Sequence, residues 1–152
     1  MIKTTRKQNK NLCEKYPFLI PRNPFTGEIV QDYNYEYTML DEIPDGWRIA
    51  FGEQLCEELR QELKNNNCLN NYHIIQIKEK YGELRWYDSG NTENGHNIIH
   101  KYEDISRKTC ICCGKPATKI TTGWISPYCD NCVPKNEKSL DINYYYADPQ
   151  EL

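Results

Sequence analysis

The chain has 152 residues, of which 38% are hydrophobic and 27% charged, with a formal net charge of −3. That length fits one domain of ordinary size or a body with a small appendage, and no run of about 18 apolar residues exists, which excludes a membrane-spanning helix. The opening Met-Ile-Lys-Thr-Thr-Arg-Lys-Gln-Asn-Lys carries no apolar core of a signal peptide, so the chain reads as cytosolic.

Charge is unevenly placed. Residues 1–22 hold six basic and one acidic side chain, residues 23–63 ten acidic and two basic, and residues 107–138 six basic and two acidic. The last bias is enough to touch phosphate and too small to demand it.

From Tyr16 to Trp47 the sequence is rich in proline and tyrosine. Prolines at 17, 21, 24 and 44 fix φ and remove amide donors, which opposes regular helix. The aromatic side chains offer large areas to bury, so residues 1–47 read as an ordered arm wrapping the body and not as a disordered tail. Tyr33, Tyr35 and Tyr37 alternate and share one face if this piece is extended, either packing on the core or offering a stacking surface to a ligand.

Residues 48–107 read as an α-β-β-α body. Phe51, Leu55, Leu59 and Leu63 recur every fourth residue with Cys56 beside them, which predicts an amphipathic helix over 51–65 that stops at Asn65-Asn66-Asn67. Tyr72 to Gly90 then reads as two strands around a short turn containing Gly82. Alternation puts Ile75 with Ile77, and Leu84 with Trp86, on the covered side, and turns Lys78, Arg85 and Tyr87 outward. A basic and aromatic outer face can stack on and pair with a nucleotide, although exposed strands commonly have this composition. A second helix follows N-cap candidates between Asn91 and Asn94, with Ile98, Ile99, Tyr102 and Ile105 at helical spacing up to Ser106.

The strongest chemical signal lies in residues 108–138. Cys110-Ile111-Cys112-Cys113 and Cys129-Asp130-Asn131-Cys132 are two CxxC pairs separated by 15 residues, a spacing that suits a zinc ribbon better than disulfides. Cys110, Cys113, Cys129 and Cys132 are the expected ligands. Gly114 permits the positive φ of a tight knuckle, and Cys112 is then spare. Four protein ligands leave no open position for water or substrate, so the expected zinc is structural. Residues 117–125 suggest a hairpin between the pairs, and residues 139–152, with Tyr144-Tyr145-Tyr146, a tail laid on a surface. The expected fold class is therefore α+β: a small body of two helices and a β-hairpin with a C-terminal zinc ribbon.

Catalytic motifs are missing. There is no HxE triplet of the zinc deaminases, no GxxxxGK[ST], no GxGxxG and no GxSxG. His96 and His100 stand four apart, but Asn97 occupies the place where HExxH needs glutamate, so they read as surface histidines, and His73 as a half-buried strand residue. Asp41, Glu42, Asp45 and Glu53 cluster in sequence, either as dispersed metal ligands of a nuclease or as favourable charges ahead of a helix. An enzyme is not the expected class, and no catalytic residue is assigned.

Several segments carry a family likeness: Lys15-Tyr16-Pro17-Phe18-Leu19-Ile20-Pro21-Arg22-Asn23, Pro44-Asp45-Gly46-Trp47, Cys56-Glu57-Glu58, the run from Gln76 to Tyr87, Cys113-Gly114-Lys115-Pro116 and Gly123-Trp124-Ile125-Ser126-Pro127. In these the chain resembles a group of short uncharacterised accessory proteins of bacteriophages and prophages. The resemblance implies a genomic setting and no activity. Counter-defence is the expectation it suggests, by blocking a host protein or sequestering a nucleotide signal, with Lys78, Arg85, Tyr87, Tyr33, Tyr35 and Tyr37 as candidate contacts. A zinc-ribbon nucleic-acid-binding protein or regulator is the alternative, and a hydrolase the third.

Overall fold

The computed structural model describes residues 2–147. It is a mixed helix and sheet fold in the order α1 (Arg6–Lys15), α2 (Asp45–Trp47), α3 (Glu53–Asn65), β1 (His73–Lys80), β2 (Glu83–Ser89), α4 (Glu93–Ser106), β3 (Lys119–Thr121), β4 (Pro127–Tyr128), β5 (Ser139–Asp141) and α5 (Ile142–Tyr146). Among the described residues no helix is long and apolar enough to cross a membrane.

Helix α1 was not anticipated, because its sequence has too few apolar residues to show a stripe. It is held by its ends and by one buried amide. The Thr5 side chain accepts from the Gln8 amide at 3.1 Å while Gln8 accepts from the Thr5 amide at 2.8 Å, a reciprocal capping box. Asn9, fully buried, donates to the Tyr35 carbonyl at 2.8 Å and accepts from Thr4 at 2.6 Å, tying the helix to the arm. The arm itself turns through 3-10 segments at Pro17–Leu19 and Met39–Glu42 and sends Phe18, Leu19, Leu40 and Ile43 into the core. The Phe18 ring meets Tyr72 edge-on at 5.5 Å.

The tyrosines 33, 35 and 37 do not lie on an extended strand. Asp32 and Tyr35 take left-handed φ values of 56° and 65°, so the chain turns twice and a two-residue alternation cannot persist. Proximity comes from the turns instead: Tyr33 stands 4.8 Å from Tyr35 and 6.3 Å from Tyr37, ring to ring, beside Cys13 of α1.

The predicted helix over 51–65 begins earlier, as the single turn α2, and widens into a π turn at Arg48–Gly52 before α3. The spacing explains the widening. Trp47, Phe51, Leu55, Leu59 and Leu63 are all buried, yet a strict four-residue repeat drifts about 40° per step on a 3.6-residue helix. A wider turn rotates less per residue and offsets part of that drift. Asn67, at φ 55°, ends the helical path.

Strands β1 and β2 pair antiparallel around a two-residue turn, Tyr81-Gly82, with φ values of 54° and 77°. The register shifts between Ile74 and Gln76, so Ile74 and Ile77 face the core while Ile75 is 41% exposed. This corrects the expected pairing of Ile75 with Ile77: a bulge inserts one residue and breaks the alternation. Helix α4 packs on α3 and on β2, and its side chains cover the free edge of β2. The Leu84 amide donates to Ser106 Oγ at 2.9 Å and the Trp86 amide to Glu103 at 3.1 Å. Thr92 caps α4 by accepting from the Gly95 amide at 2.8 Å.

The C-terminal third has its own sheet, in the order β4-β3-β5, and its own small core of Ala117, Ile120 and Ile142 with Ile125 and Tyr146 against it. The segment from Ser139 to Tyr146, expected as part of a tail, is thus a strand and a helix that complete the ribbon; the rest of the expected tail, residues 148–152, lies outside the described residues.

The bulge yields a direct test. Ile74→Ala should lower stability by about 2–5 kcal/mol in urea unfolding, whereas Ile75→Ala should stay within about 0.5 kcal/mol; equal losses would mean an unbroken alternation.

Candidate metal centre

The first knuckle begins at an isolated bridge between Thr109 and Pro116, inside which the Cys110 amide donates to the Lys115 carbonyl at 2.8 Å and the Gly114 amide to the Cys110 carbonyl at 3.0 Å. The second follows β4 directly, and the amides of Cys132 and Val133 both donate to the Cys129 carbonyl, at 3.2 and 3.1 Å. One hydrogen bond, Ile111 N–H to the Pro127 carbonyl at 3.0 Å, sets the two knuckles against each other.

The result is a group of four sulfurs, those of Cys110, Cys113, Cys129 and Cys132, all within 4.8 Å of one another, with Cys113 and Cys129 at 3.6 Å. Four thiolates about 2.3 Å from a tetrahedral ion lie about 3.8 Å apart, so the group can hold one metal ion. Cys112 is exposed and outside the group, and none of the eight cysteines forms a disulfide. Burial opposes ionisation of Cys129, but the thiols of Cys132 and Cys113 and the amides of Cys132 and Asn131 donate to its sulfur and lower its pKa to about 7. The Lys115 amide favours the Cys113 thiolate too, but burial and hydrogen bonding to Cys129 and Cys110 outweigh it and hold that thiol above its ordinary pKa.

What seats this centre on the body is a contact between two backbones. Gly46, in the single turn α2, donates its amide to the Ile111 carbonyl at 2.9 Å, and a Cβ there would lie 2.1 Å from the Cys110 carbonyl oxygen. Gly114 answers it from the other side: at φ 83° it needs to be glycine for its conformation, and a Cβ would lie 2.6 Å from the Gly46 oxygen. The Trp47 indole, fully buried, donates to the Thr109 carbonyl at 2.9 Å. Pro44-Asp45-Gly46-Trp47 was visible as a motif in the sequence, but its role as the seat of a knuckle some 64 positions away was not.

The other candidates separate into places. Lys78 and Arg85 are cross-strand partners on the outer face of the hairpin, and the Lys78 Nζ stands 5.7 Å from the centroid of the Tyr87 ring. Arg85 pairs with Glu83 at 3.3 Å, and its Nε is the one buried side-chain polar atom without a partner among the described residues. Tyr33, Tyr35 and Tyr37 form a separate cluster beside α1. His96 and His100 are exposed and each faces its own carboxylate, Asp88 at 4.0 Å and Glu103 at 2.8 Å. Among the dispersed carboxylates, Asp41 is taken by the buried Arg48 and by the Thr38 amide, and no acidic cluster of three or more metal-ligating groups occurs among the described residues. A cleft of about 510 Å³ between α1 and the π turn is lined by Thr4, Gln8, Leu12, Lys15, Arg48 and Glu53, mixing both charges with no aromatic ring.

No family model, curated protein or solved structure matches this chain.

Gly46→Ala should weaken metal retention and lower the melting temperature, because its methyl group collides with backbone that cannot move aside. Gly123→Ala, where a Cβ meets nothing within 4 Å, is the control and should behave as wild type in both measurements. Cys112→Ser should keep the metal, and Cys110→Ser should lose it, as read by metal analysis of the purified protein.

Proposed function

We propose that the chain is a non-catalytic accessory binding protein that captures a nucleotide-type ligand on the outer face of its hairpin, with zinc in the four-cysteine centre as a structural staple. The observation that carries this reading is the cross-strand group of Lys78, Arg85 and Tyr87: two cations beside a half-exposed ring, the chemistry that holds a phosphate while stacking a base. Arg85 supports it, since its side chain is 37% exposed and its pair with Glu83, at 3.3 Å, engages one of its three nitrogens.

Zinc is the assignment for the metal because a four-thiolate tetrahedral set favours zinc or iron, and a closed set with no free position suits a structural ion. The ribbon's own core is three buried residues, too small to hold it alone, and metal binding contributes on the order of 10 kcal/mol to such units. The likeness to phage accessory proteins supports a setting in the bacterial cytosol and sequestration of a nucleotide signal used in host defence. Blocking of a host protein is the less favoured form, because the hairpin group is built of cations and rings.

Metal analysis should give one zinc per chain and a colourless protein; a coloured protein with iron would replace zinc by a four-thiolate iron centre. Calorimetric titration with nucleoside mono- and diphosphates should show binding that Arg85→Ala and Tyr87→Ala each reduce by about tenfold or more while the melting temperature holds. Absence of nucleotide binding by the folded, zinc-loaded protein removes the reading.

A further inference from the structure

Two turns, one from each half of the molecule, meet at the tip of the hairpin. A Cβ at Gly82 would lie 3.3 Å from the Ile125 side chain and 3.4 Å from Pro127, so the β1–β2 turn rests on the loop between β3 and β4. Each turn carries a ring exposed over most of its surface: Tyr81 is 69% exposed and Trp124 is 76% exposed. Neither is there by default. Tyr81 occupies the first position of a two-residue turn with φ 54°, where asparagine or glycine costs less and a bulky residue is an outlier. Trp124 sits on a loop pinned from within, since buried Thr121 donates to the Trp124 carbonyl and accepts from the Ser126 amide at 3.0 Å. The ring stands out from a fixed backbone.

Trp124 divides two grooves. One, of about 270 Å³, is lined by Glu79, Lys80, Tyr81 and Ile125; the other, of about 340 Å³, by Thr122, Glu137 and Lys138. The Lys80 Nζ lies 5.7 Å from the ring of its neighbour Tyr81, as the Lys78 Nζ lies 5.7 Å from the ring of Tyr87 across the hairpin. Of the carboxylates in this area, Glu79 accepts from the Gly82 amide at 2.9 Å and Glu83 is held by Arg85 and Arg107. That leaves Glu137 against Lys78, Lys80 and Lys138, none of which makes an ion pair among the described residues.

We infer that this tip binds single-stranded nucleic acid, with a base in the groove on either side of the Trp124 indole, Tyr81 backing the first, and the phosphates on Lys78, Lys80 and Lys138. The inference rests on the nucleotide reading of the adjoining hairpin face and extends it from one nucleotide to a strand. Ammonium groups at Lys78 and Lys80, two residue rises or about 7 Å apart on one face of the strand, with rings along the same hairpin, match a polymer of bases and phosphates better than one small molecule. The rim around the two rings carries three lysines that make no ion pair among the described residues against one glutamate, a cationic balance that suits phosphates. A duplex keeps its bases stacked away from such rings, so the single strand is the form recognised.

The test is anisotropy of labelled oligothymidine and oligouridine strands of about eight nucleotides, against the matched duplex, with the zinc-loaded full chain. Trp124 is the one exposed tryptophan beside buried Trp47 and Trp86, so quenching of its fluorescence reports occupancy directly. Single strands should bind, quench Trp124, and show log affinity falling with log salt at a slope of about −2, for three lysines at about 0.7 each. Trp124→Ala should weaken binding by about tenfold or more with an unchanged melting temperature, Trp124→Phe by less, and Tyr81→Ala by several-fold. Equal affinity of Trp124→Ala, a slope near zero, or preference for duplex overturns the inference. Mononucleotide binding lost in Arg85→Ala but untouched in Trp124→Ala, without strand binding, overturns the inference and leaves the nucleotide reading standing; no binding of either ligand overturns both.

Discussion

The approach of the Gly46 backbone to the carbonyls of Cys110 and Ile111 is the contact on which the arrangement of the two halves depends. It joins backbone to backbone, leaving no side chain that could adjust by changing rotamer. The amide of Gly46 satisfies the Ile111 carbonyl and the Trp47 indole that of Thr109, two positions back, so two polar groups of the knuckle are paired by the body instead of by water. A ribbon tethered by a flexible linker would have no such bonds. The start of the long helical path is set by the same demand: α2 must present Gly46 outward and Trp47 inward, and the π turn that follows lets Phe51 and the leucines of α3 continue the buried stripe.

Much of this was legible in the sequence, and for identifiable reasons. The leucines at 55, 59 and 63, the strands flanking Gly82 and the two CxxC pairs are local patterns whose period or spacing matches one structure only, and each reappears in place. What escaped were features decided by partners far along the chain. The bulge that turns Ile75 outward leaves no mark in an alternating pattern. Helix α1 depends on a capping box and on buried Asn9, a polar residue whose burial makes sense only beside the Tyr35 carbonyl. The tyrosines of the arm cluster by two left-handed turns and not by alternation. Of the candidate site, the four ligands were readable because chelation imposes spacing, while Gly46, the residue that seats them, looks like any turn glycine.

The metal centre and the exposed rings divide the work between inside and outside. Every sulfur in the four-cysteine group is at most half exposed, and the closed ligand set offers nothing to a substrate. The surface cations that make no ion pair among the described residues, lysines 78, 80 and 138, lie instead on the hairpin and on the ribbon. Position, then, is what the centre contributes to any ligand: it fixes where the loops carrying those groups stand.

That positional role can be followed bond by bond. Trp124 is held by Thr121, Thr121 closes β3, and β3 lies between β4, which runs directly into Cys129, and β5. Tyr81 belongs to the body, and its turn rests on the ribbon through Gly82 against Ile125 and Pro127. The distance between the two rings is therefore set at both ends of the ribbon, by the knuckle on Gly46 and by the loop on Gly82. Two supports fix an orientation where one would leave a hinge, and any ligand stacked on both rings depends on that second support, because stacking is lost once the planes separate by more than an ångström or so.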